Sequence, residues 1–209
     1  YHPNYDIEPF KVQQVADAGD ITCWGGSAWL PDDIGPAKAV SGRCIINQEN
    51  EVQCWGYNGW GQVDVPLDLG DALAIAYGEK HTCAMTAKRE IRCWGRDGLN
   101  QLAVPVNTEG NLWPRIRISA GSYYTACSLD QAGIVTCWGK NDQGHANVPA
   151  SLEPIVAIAS GAWYHTCALD HLGKVTCWGS NGEGQLEVPT DLGTATAIDV
   201  NRNQSCAIN

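Results

Sequence analysis

The sequence has little positive charge and no long apolar run. Of its 209 residues, 13 are Lys or Arg and 23 are Asp or Glu, so the formal net charge is -10. Proteins bind nucleic acid largely through Lys and Arg contacts to phosphates, which release counterions, and this chain has no basic cluster for that purpose. It also lacks the roughly 18 consecutive apolar residues of a membrane-spanning helix. We therefore expect no nucleic acid partner and no membrane insertion.

Residues that helical domains favour are scarce as well. The chain has one Met and one Phe, against 23 Gly, 10 Cys and 9 Trp. Gly, Pro, Thr and Val recur every few residues, which favours an all-β protein. Because the chain begins Tyr1-His2-Pro3 without Met, we expect a mature product whose signal segment has been removed.

The triplet Cys-Trp-Gly recurs along the chain. It occurs five times, at 23–25, 54–56, 93–95, 137–139 and 177–179, and successive tryptophans are 31, 39, 44 and 40 residues apart. A period near 40 residues with several short β-like runs per copy is typical of a propeller blade.

The residues around the last triplet predict the strands of one blade. Thr166–Leu169 and Lys174–Trp178 are rich in strand formers, and residues 170–173 supply the turn of a hairpin between them. Ile155–Ser160 is predicted as a further strand and Gln185–Val188 as a short outer one.

The spacing of the cysteines indicates disulfides across these hairpins. Opposed residues on adjacent strands bring their Cβ atoms to about 4.5–5.5 Å. Four pairs lie ten residues apart across the same hairpin: Cys44 with Cys54, Cys83 with Cys93, Cys127 with Cys137, and Cys167 with Cys177. Cys23 lacks a strand upstream and Cys206 lacks a triplet downstream. We therefore expect a Cys23–Cys206 disulfide that closes a ring.

The predicted fold is an all-β, five-bladed β-propeller whose last blade is shared between the N- and C-termini. One domain covers 1–209, with a lead-in at 1–17 and blades at about 30–66, 67–106, 107–149, 150–189, and 190–209 plus 18–29. Five sensible cysteine pairs imply an oxidising compartment and hence a secreted, extracellular protein. Paired C-x-x-C spacing is absent, so zinc ligation is disfavoured.

The repeat unit resembles the RCC1 repeat (regulator of chromosome condensation). Gly161–Leu186 and Gly78–Leu102 carry the pattern G-x-x-H-T-C-A…C-W-G best. The G-Q-x-x-V-P ending at Gly61–Pro66 is similar to that of the secreted β-lactamase inhibitor propellers of the same superfamily. The resemblance implies a propeller over about residues 20 to 209, although such propellers usually have seven blades. It does not choose among the exchange factors, ligase modules and inhibitors that share the fold.

The aromatic residues divide into scaffold and remainder. The five triplet tryptophans are expected to pack between blades, which leaves Trp29, Trp60, Trp113 and Trp163. In an up-and-down blade, the loops before and after the hairpin emerge on the same face. We predict that this face binds a ligand through Trp29, Tyr57, Trp60, Glu79, Lys80, Arg96, Tyr123, Tyr124, Trp163, Tyr164 and Glu183. The alternative is that half of these rings cap the core; Trp113, beside Pro114, is as well explained by packing.

No sequence motif indicates catalysis or a metal. Ser-His-Asp order, HExxH, a P-loop and an EF-hand loop are all absent. His81 and His165 stand where Thr125 and Gln204 stand in other copies, so we expect structural hydrogen bonding from them. We predict no catalytic residue, no metal and no cofactor. A glycosidase-like carboxylate pair is the one enzymatic alternative, because such pairs are spatial and not sequential.

The function expected is non-enzymatic binding by a secreted protein, either a monomer or a weak oligomer. The first hypothesis is lectin-like recognition of extracellular glycans through the aromatic loop face. The alternative is a protein–protein interaction module or enzyme inhibitor that uses the same face. Equivalent glycan pockets need the same residues in every blade, whereas a single protein interface permits them to differ. The loop before the hairpin varies from copy to copy, which favours a heterogeneous interface.

Overall fold

The computed structural model describes residues 31, 34–105, 115–121, 124–161, 164–200 and 203–209. Within these ranges the chain forms fourteen β-strands and no helix. The strands make five antiparallel sheets in chain order, of which four have three strands and the last has two. The all-β prediction is thus confirmed. No helix in the described ranges is long and apolar enough to cross a membrane.

Each three-stranded sheet places its second strand in the middle, as consecutive hairpins dictate. The first sheet contains β1 (Ala37–Ser41), β2 (Cys44–Asn47) and β3 (Val52–Cys54); the second β4 (Ala72–Tyr77), β5 (His81–Thr86) and β6 (Ile91–Gly95); the third β7 (Arg115–Ala120), β8 (Thr125–Asp130) and β9 (Val135–Gly139); the fourth β10 (Ile155–Ser160), β11 (His165–Asp170) and β12 (Val175–Gly179). The fifth contains β13 (Ala197–Val200) and β14 (Ser205–Ile208).

Cysteine pairs fix the register of the second and third strands. In the fourth sheet the two cysteines lie directly opposite each other, with Cα atoms 4.1 Å apart. All four ten-residue disulfides predicted from the sequence are present: Cys44 to Cys54, Cys83 to Cys93, Cys127 to Cys137, and Cys167 to Cys177.

The fifth predicted disulfide, between Cys23 and Cys206, is not among those that the structure describes. Cys206 is exposed and bonded to no described cysteine. Its predicted partner, Cys23, lies outside the described residues.

The third-strand cysteines differ from their partners in burial. Cys83 and Cys127, on the central strands, are buried, whereas Cys93 and Cys137 are only partly buried. Cys93 packs against the apolar cluster that contains Ala126 and Trp138. Cys137 packs against the equivalent cluster between the third and fourth sheets, which contains Trp178. These cysteines thus serve the scaffold as cross-links and as part of the packing between sheets.

The core lies between neighbouring sheets. Strands β5, β8 and β11 are buried along their whole length, because a neighbouring sheet covers each of their faces. Trp178 is 6% exposed and packs against Leu129 and Val135 of the third sheet and Ile155 of its own, fourth sheet. Trp94, Trp138 and Trp178 therefore pack between sheets, as the sequence predicts.

The first strands of successive sheets contact one another in chain order, so they lie side by side along one edge of the array. The Ser119 hydroxyl accepts a hydrogen bond of 3.0 Å from the backbone N–H of Ser160 across one of these contacts. A Cβ atom at Gly121 would lie 2.8 Å from the carbonyl oxygen of Gly161. Glycine is therefore required where the third and fourth sheets meet.

The predicted outer strand at Gln185–Val188 is wrong. This segment forms turns, in which the N–H of Glu187 bonds to Gly184 and the N–H of Val188 bonds to Leu186. The Gln185 side chain is buried, and its amide oxygen accepts from the N–H of Glu183. Local bonds thus replace the ladder that an outer strand would need.

We predict that Trp138→Ala lowers the free energy of unfolding by about 3–5 kcal/mol, because it empties a buried site between sheets. Trp138 is 6% exposed and packs against Ala126 and Ile118. Its indole N–H also donates to the carbonyl of Gln101 at 3.0 Å. Chemical denaturation at equilibrium, with all disulfides intact, measures the change.

The matched control is Trp60→Ala, a tryptophan that is 42% exposed and outside the triplets. We expect a loss below about 0.5–1 kcal/mol there. Equal losses at the two positions would contradict the division into scaffold and surface tryptophans.

Candidate functional site

Strand register brings the loops before and after each hairpin together on one face. The backbone N–H of Arg96 bonds to the carbonyl of Lys80 at 2.8 Å. The same bond joins Lys140 to Tyr124 at 2.9 Å and Ser180 to Tyr164 at 2.8 Å. Each pair closes its hairpin beyond the disulfide, and its side chains emerge beside each other.

A row of alternating cations and rings crosses this face. The Arg96 guanidinium lies 4.2 Å from the centre of the Trp60 ring, and the Lys80 ammonium lies 4.7 Å from the centre of the Tyr124 ring. The Lys140 ammonium lies 4.8 Å from the Tyr164 ring. These are cation–π distances. We call this row the cation–aromatic strip: Trp60, Lys80, Arg96, Tyr124, Lys140 and Tyr164.

The strip links four sheets because most of its contacts cross between sheets. Trp60 follows β3, whereas Arg96 follows β6. The Lys80 ammonium precedes β5 and donates a 2.8 Å hydrogen bond to the hydroxyl of Tyr124, which precedes β8. The Lys140 ammonium donates to the Tyr164 hydroxyl at 3.4 Å. The strip is therefore one continuous feature of the assembled face and not a property of any single sheet.

Positive charge dominates the strip. The hydrogen bond from Lys80 lowers the pKa of Tyr124, and the charges of Lys80, Arg96 and Lys140 lower it further. One carboxylate balances part of this charge: Asp142 lies 3.0 Å from the Lys140 ammonium and, together with the Tyr164 contact, raises the pKa of Lys140. The strip thus favours anionic groups on an otherwise acidic protein.

Tyr164 holds an unusual backbone conformation. Its φ is 64°, in the left-handed region that bulky side chains rarely adopt. The carbonyl of this residue is fixed by Ser180, and its ring lies 5.2 Å from the ring of His145. Strained residues concentrate where the surrounding structure holds a side chain in a required position. Here the held side chain is the ring under Lys140.

A buried polar residue lies in the loop after the third strand of each three-stranded sheet, and in the first sheet it holds the strip in place. The amide of Gln62 is fully buried; its oxygen accepts from the N–H of Trp60 at 3.0 Å and its nitrogen donates to the carbonyl of Glu79 at 2.9 Å. Gln62 therefore holds the Trp60 loop against the loop that carries Lys80. Its repeat equivalents are Gln101, His145 and Gln185, and all three are buried.

The structure brings together five of the residues predicted for the ligand face: Trp60, Lys80, Arg96, Tyr124 and Tyr164. Tyr57 is 65% exposed and Glu79 and Glu183 are exposed, but none of the described ring contacts includes them in the strip. Trp29, Tyr123 and Trp163 lie outside the described residues, as does Trp113.

Sequence reasoning missed Lys140. The signal was present, because Lys140 directly follows the triplet at 137–139 just as Arg96 follows the triplet at 93–95. An alignment of the repeats with one another would have paired the two cations.

His81 does not have the hydrogen-bonding role predicted for it. Both of its ring nitrogens are buried without a partner among the described residues, whereas Thr125 at the equivalent position donates to the carbonyl of Lys140. In the equivalent His165, Nε2 lies 3.2 Å from the Ser205 hydroxyl.

The described residues contain no group of three His, Cys, Asp or Glu that could hold a metal ion. The strip offers contact area, charge and hydrogen-bond donors, which suit binding.

Comparison with known proteins supports the repeat assignment. Residues 73–101 and 155–185 match the family model described as the regulator of chromosome condensation (RCC1) repeat. These segments contain most of the strands β4–β6 and β10–β12. No curated protein sequence matches the chain significantly.

Several solved structures share the fold. The chain superposes on Prp20p from Saccharomyces cerevisiae with a TM-score of 0.66 at 17% identity, covering 78% of this chain and 52% of that one. The receptor kinase CR4 ectodomain from Physcomitrella patens gives 0.63 at 22% identity, with 78% and 45% covered. The ACR4 ectodomain from Arabidopsis thaliana gives 0.60 at 21%, with 78% and 61% covered. The chain thus spans about half to three-fifths of the length of these structures, and the likeness shows the fold alone.

We predict that the protein loses stability as the pH falls from about 6.5 to about 4. Burial lowers the pKa of His81 to about 4, and burial together with the charge of Lys140 lowers that of His145 to about 4. The unfolded chain, in which the His pKa is near 6.5, binds more protons than the folded protein in this pH range. The free energy of unfolding therefore decreases as the pH falls through it. Above pH 6.5 this stability is fully present; for His81 the loss reaches about 3 kcal/mol near pH 4. Urea denaturation at several pH values measures it.

Repeat equivalents provide the controls. His145→Gln introduces the residue found at Gln101, and His81→Thr the residue found at Thr125. The double variant should lose less stability between these pH values than the wild type. An unchanged pH dependence would show that carboxylates, and not these histidines, cause the acid sensitivity.

Proposed function

Because the chain carries repeats of the RCC1 type, we propose that it is a non-enzymatic binding protein that recognises a protein partner through the cation–aromatic strip. The observation that carries the proposal is the strip itself, in which rings and cations from four sheets form one surface. Tryptophan, tyrosine and arginine dominate the energy of protein interfaces. A standard interface buries about 800 Å² per partner, an area that a face shared by several sheets can supply.

Differences between sheets favour a protein over repeated glycan sites. The position of Trp60 is taken by Leu99, Gln143 and Glu183 in the following sheets. Equivalent sugar pockets would require the same residue at each place. The rings of Trp60, Tyr124 and Tyr164 also each have a cation above one face, which occupies the surface on which a sugar would stack.

Glycan recognition is the second candidate function. Tyr57 is 65% exposed, and none of the described cation–ring contacts covers its ring, so it can offer an open aromatic face to a sugar. A lectin-like site of this kind would be centred on the loop between Tyr57 and Trp60 and not on the whole strip. A glycan array with Tyr57→Ala as the control separates this candidate from the first.

The comparisons agree with a protein partner and with an extracellular location. Prp20p is described by its binding to Gsp1p and histones, which are proteins. Four disulfides within one small β protein suit an oxidising compartment, and CR4 and ACR4 contribute ectodomains of receptor kinases. We accordingly propose a secreted, monomeric protein.

The proposed architecture is a closed ring of five blades, and the two-stranded fifth sheet supports it. Asp199 lies opposite Cys206 just as Ala159 lies opposite Cys167 in the fourth sheet. The Ser205 hydroxyl donates to the carbonyl of Gln185 at 2.8 Å, and Thr166 donates in the same way to the carbonyl of His145 at 3.1 Å. Strands β13 and β14 thus repeat the first two strands of a blade, and the described residues supply no third.

A groove of about 440 Å³ lies where the third strand would bring its tryptophan. Around Trp178, the preceding sheet and its own supply a cluster of apolar side chains: Val135, Val148, Leu152, Ile158 and Ala168. Their equivalents one repeat later all line the groove: Val175, Val188, Leu192, Ile198 and Ala207. We propose that Trp24 fills this groove, that residues 20–25 complete the fifth blade, and that Cys23 pairs with Cys206.

We predict that peptide mapping without reduction finds a Cys23–Cys206 link in addition to the four hairpin links. Trp24→Ala should then lower the free energy of unfolding by about 3–5 kcal/mol, as expected for a buried tryptophan. Denaturation of the two variants Trp24→Ala and Trp138→Ala side by side measures it. A Cys23–Cys44 link, a free thiol at Cys206, or a loss below about 1 kcal/mol would argue against closure by these residues.

We predict that Trp60→Ala weakens partner binding by about 1–3 kcal/mol while the fold is retained. The partner is first captured from extracellular fluid on immobilised wild-type protein, and its affinity is then measured by titration calorimetry. Leu67→Ala is the matched control, because Leu67 is fully exposed but takes no part in the strip contacts. Equal affinities for wild type and Trp60→Ala would remove the strip from the function.

A further inference from the structure

The cations of the strip differ in how well they are balanced. Lys140 has a carboxylate partner, because Asp142 lies 3.0 Å from its ammonium group. Arg96 occupies the equivalent position one sheet earlier, directly after the triplet at 93–95. In the described part of the chain no carboxylate lies within ion-pair distance of Arg96. The two equivalent cations therefore lie in loops that both directly follow a triplet, but among the described residues only Lys140 has an anionic partner.

The sequence explains the difference. The residue equivalent to Asp142 is Gly98, so the loop after β6 lacks the side chain that balances Lys140. The neighbouring Asp97 does not compensate, since its carboxylate accepts a 3.1 Å hydrogen bond from the N–H of Leu102 within its own loop. A Cβ atom at Gly98 would lie 3.3 Å from Nε of Arg96. The space beside the guanidinium is therefore where the missing carboxylate would stand.

Arg96 is also held ready for such a group. Its guanidinium lies 4.2 Å from the centre of the Trp60 ring and 5.5 Å from that of Tyr124. Ring contacts orient the planar fork without neutralising its charge, and a guanidinium fork binds a carboxylate through two parallel hydrogen bonds. A carboxylate held between two rings and further cations is shielded from water on several sides, which strengthens the attraction.

We infer that the partner of this protein presents an acidic segment, and that an Asp or Glu carboxylate of that segment binds Arg96 in the space left open at Gly98. The inference rests on the proposed binding function and names the chemistry of the partner. The ion pair between Asp142 and Lys140 shows the same kind of contact within this protein. We therefore propose a side-chain carboxylate and not a sulfated sugar. Lys80, joined to Arg96 by a backbone hydrogen bond, adds a second positive charge beside the same site.

A matched set of variants tests the inference without removing any cation or ring. Gly98→Asp supplies the missing carboxylate from within and should compete with the partner for Arg96. Gly98→Asn has nearly the same shape without the charge. Asp142→Gly has the reverse effect, since it leaves Lys140 unbalanced. The nearest atoms to a Cβ at position 98 belong to the flexible Arg96 side chain, with Nε at 3.3 Å. That side chain has to shift by a few tenths of an ångström in both Gly98 variants, so Gly98→Asn controls for the shift.

The probe is a fluorescent peptide of ten glutamates, with a peptide of ten glutamines and a sulfated heparin oligosaccharide as comparisons. Fluorescence anisotropy with the intact protein should show binding of the glutamate peptide that weakens as salt is raised. We expect Gly98→Asp to lower its affinity about tenfold, Gly98→Asn to leave it within about twofold, and Asp142→Gly to raise it severalfold. Equal affinities for the Gly98→Asp and Gly98→Asn proteins, or binding of heparin but not of the glutamate peptide, would overturn the inference.

The captured partner separates this inference from the proposed function. If Trp60→Ala abolishes capture but Gly98→Asp does not, the face binds the partner, and the inference that the partner binds through an acidic segment is wrong. If neither variant changes capture, the strip is not the binding face and both proposals fail. Loss of capture in Gly98→Asp but not in Gly98→Asn supports both.

Discussion

One hydrogen bond, repeated between neighbouring sheets, links the first four sheets to one another. The indole N–H of each described triplet tryptophan from Trp94 onward donates to the backbone carbonyl of a buried residue in the loop that leaves the preceding sheet. The bonds join Trp94 to Gln62, Trp138 to Gln101 and Trp178 to His145, at 3.1, 3.0 and 2.9 Å. Because the indole N–H is buried, breaking this bond would leave it without an acceptor, whereas the carbonyls of Gln62 and His145 would keep a threonine hydroxyl as donor. The spacing between sheets is therefore fixed by a polar contact at the centre of an apolar gap.

The binding face depends on the same contact. The buried residue that accepts the indole bond also organises its own loop, as Gln62 does when it bonds to both Trp60 and Glu79. Scaffold and surface are thus connected through a single residue, whose backbone carbonyl accepts the indole bond and whose side chain holds the surface loops. The distance between a ring of the strip and a cation on the next sheet is maintained only while the distance between the two sheets is maintained. The aromatic and charged residues at the surface differ between sheets. The buried residue in the loop after the third strand is Gln or His in all four three-stranded sheets.

Local features of the fold, and the packing of the described triplet tryptophans between sheets, were predictable from the sequence, whereas most individual side-chain contacts between sheets were not. Hairpins, strand register and the four short disulfides follow from spacing within one repeat, because opposed strand positions are fixed by the turn between them. The segment around Gln185 has the residues of a strand but forms turns, because its buried side chain and backbone make local hydrogen bonds that the alternation of residue types does not reveal. The cation at Lys140 can be found by aligning the repeats, but its contact with the Tyr164 ring cannot, since Tyr164 lies in the next sheet. His81 shows that a repeated polar position can be buried without a hydrogen bond to the described residues.

The short disulfides bear on how the chain acquires its covalent structure. Eight cysteines allow on the order of 100 pairings, and most of them would be wrong. Here each native partner is only ten residues away, across a single hairpin. A hairpin forms in microseconds, far faster than thiols are oxidised. Each three-stranded sheet can therefore select its own cross-link before it meets its neighbours, and correct oxidation of these eight cysteines does not have to wait for the sheets to assemble.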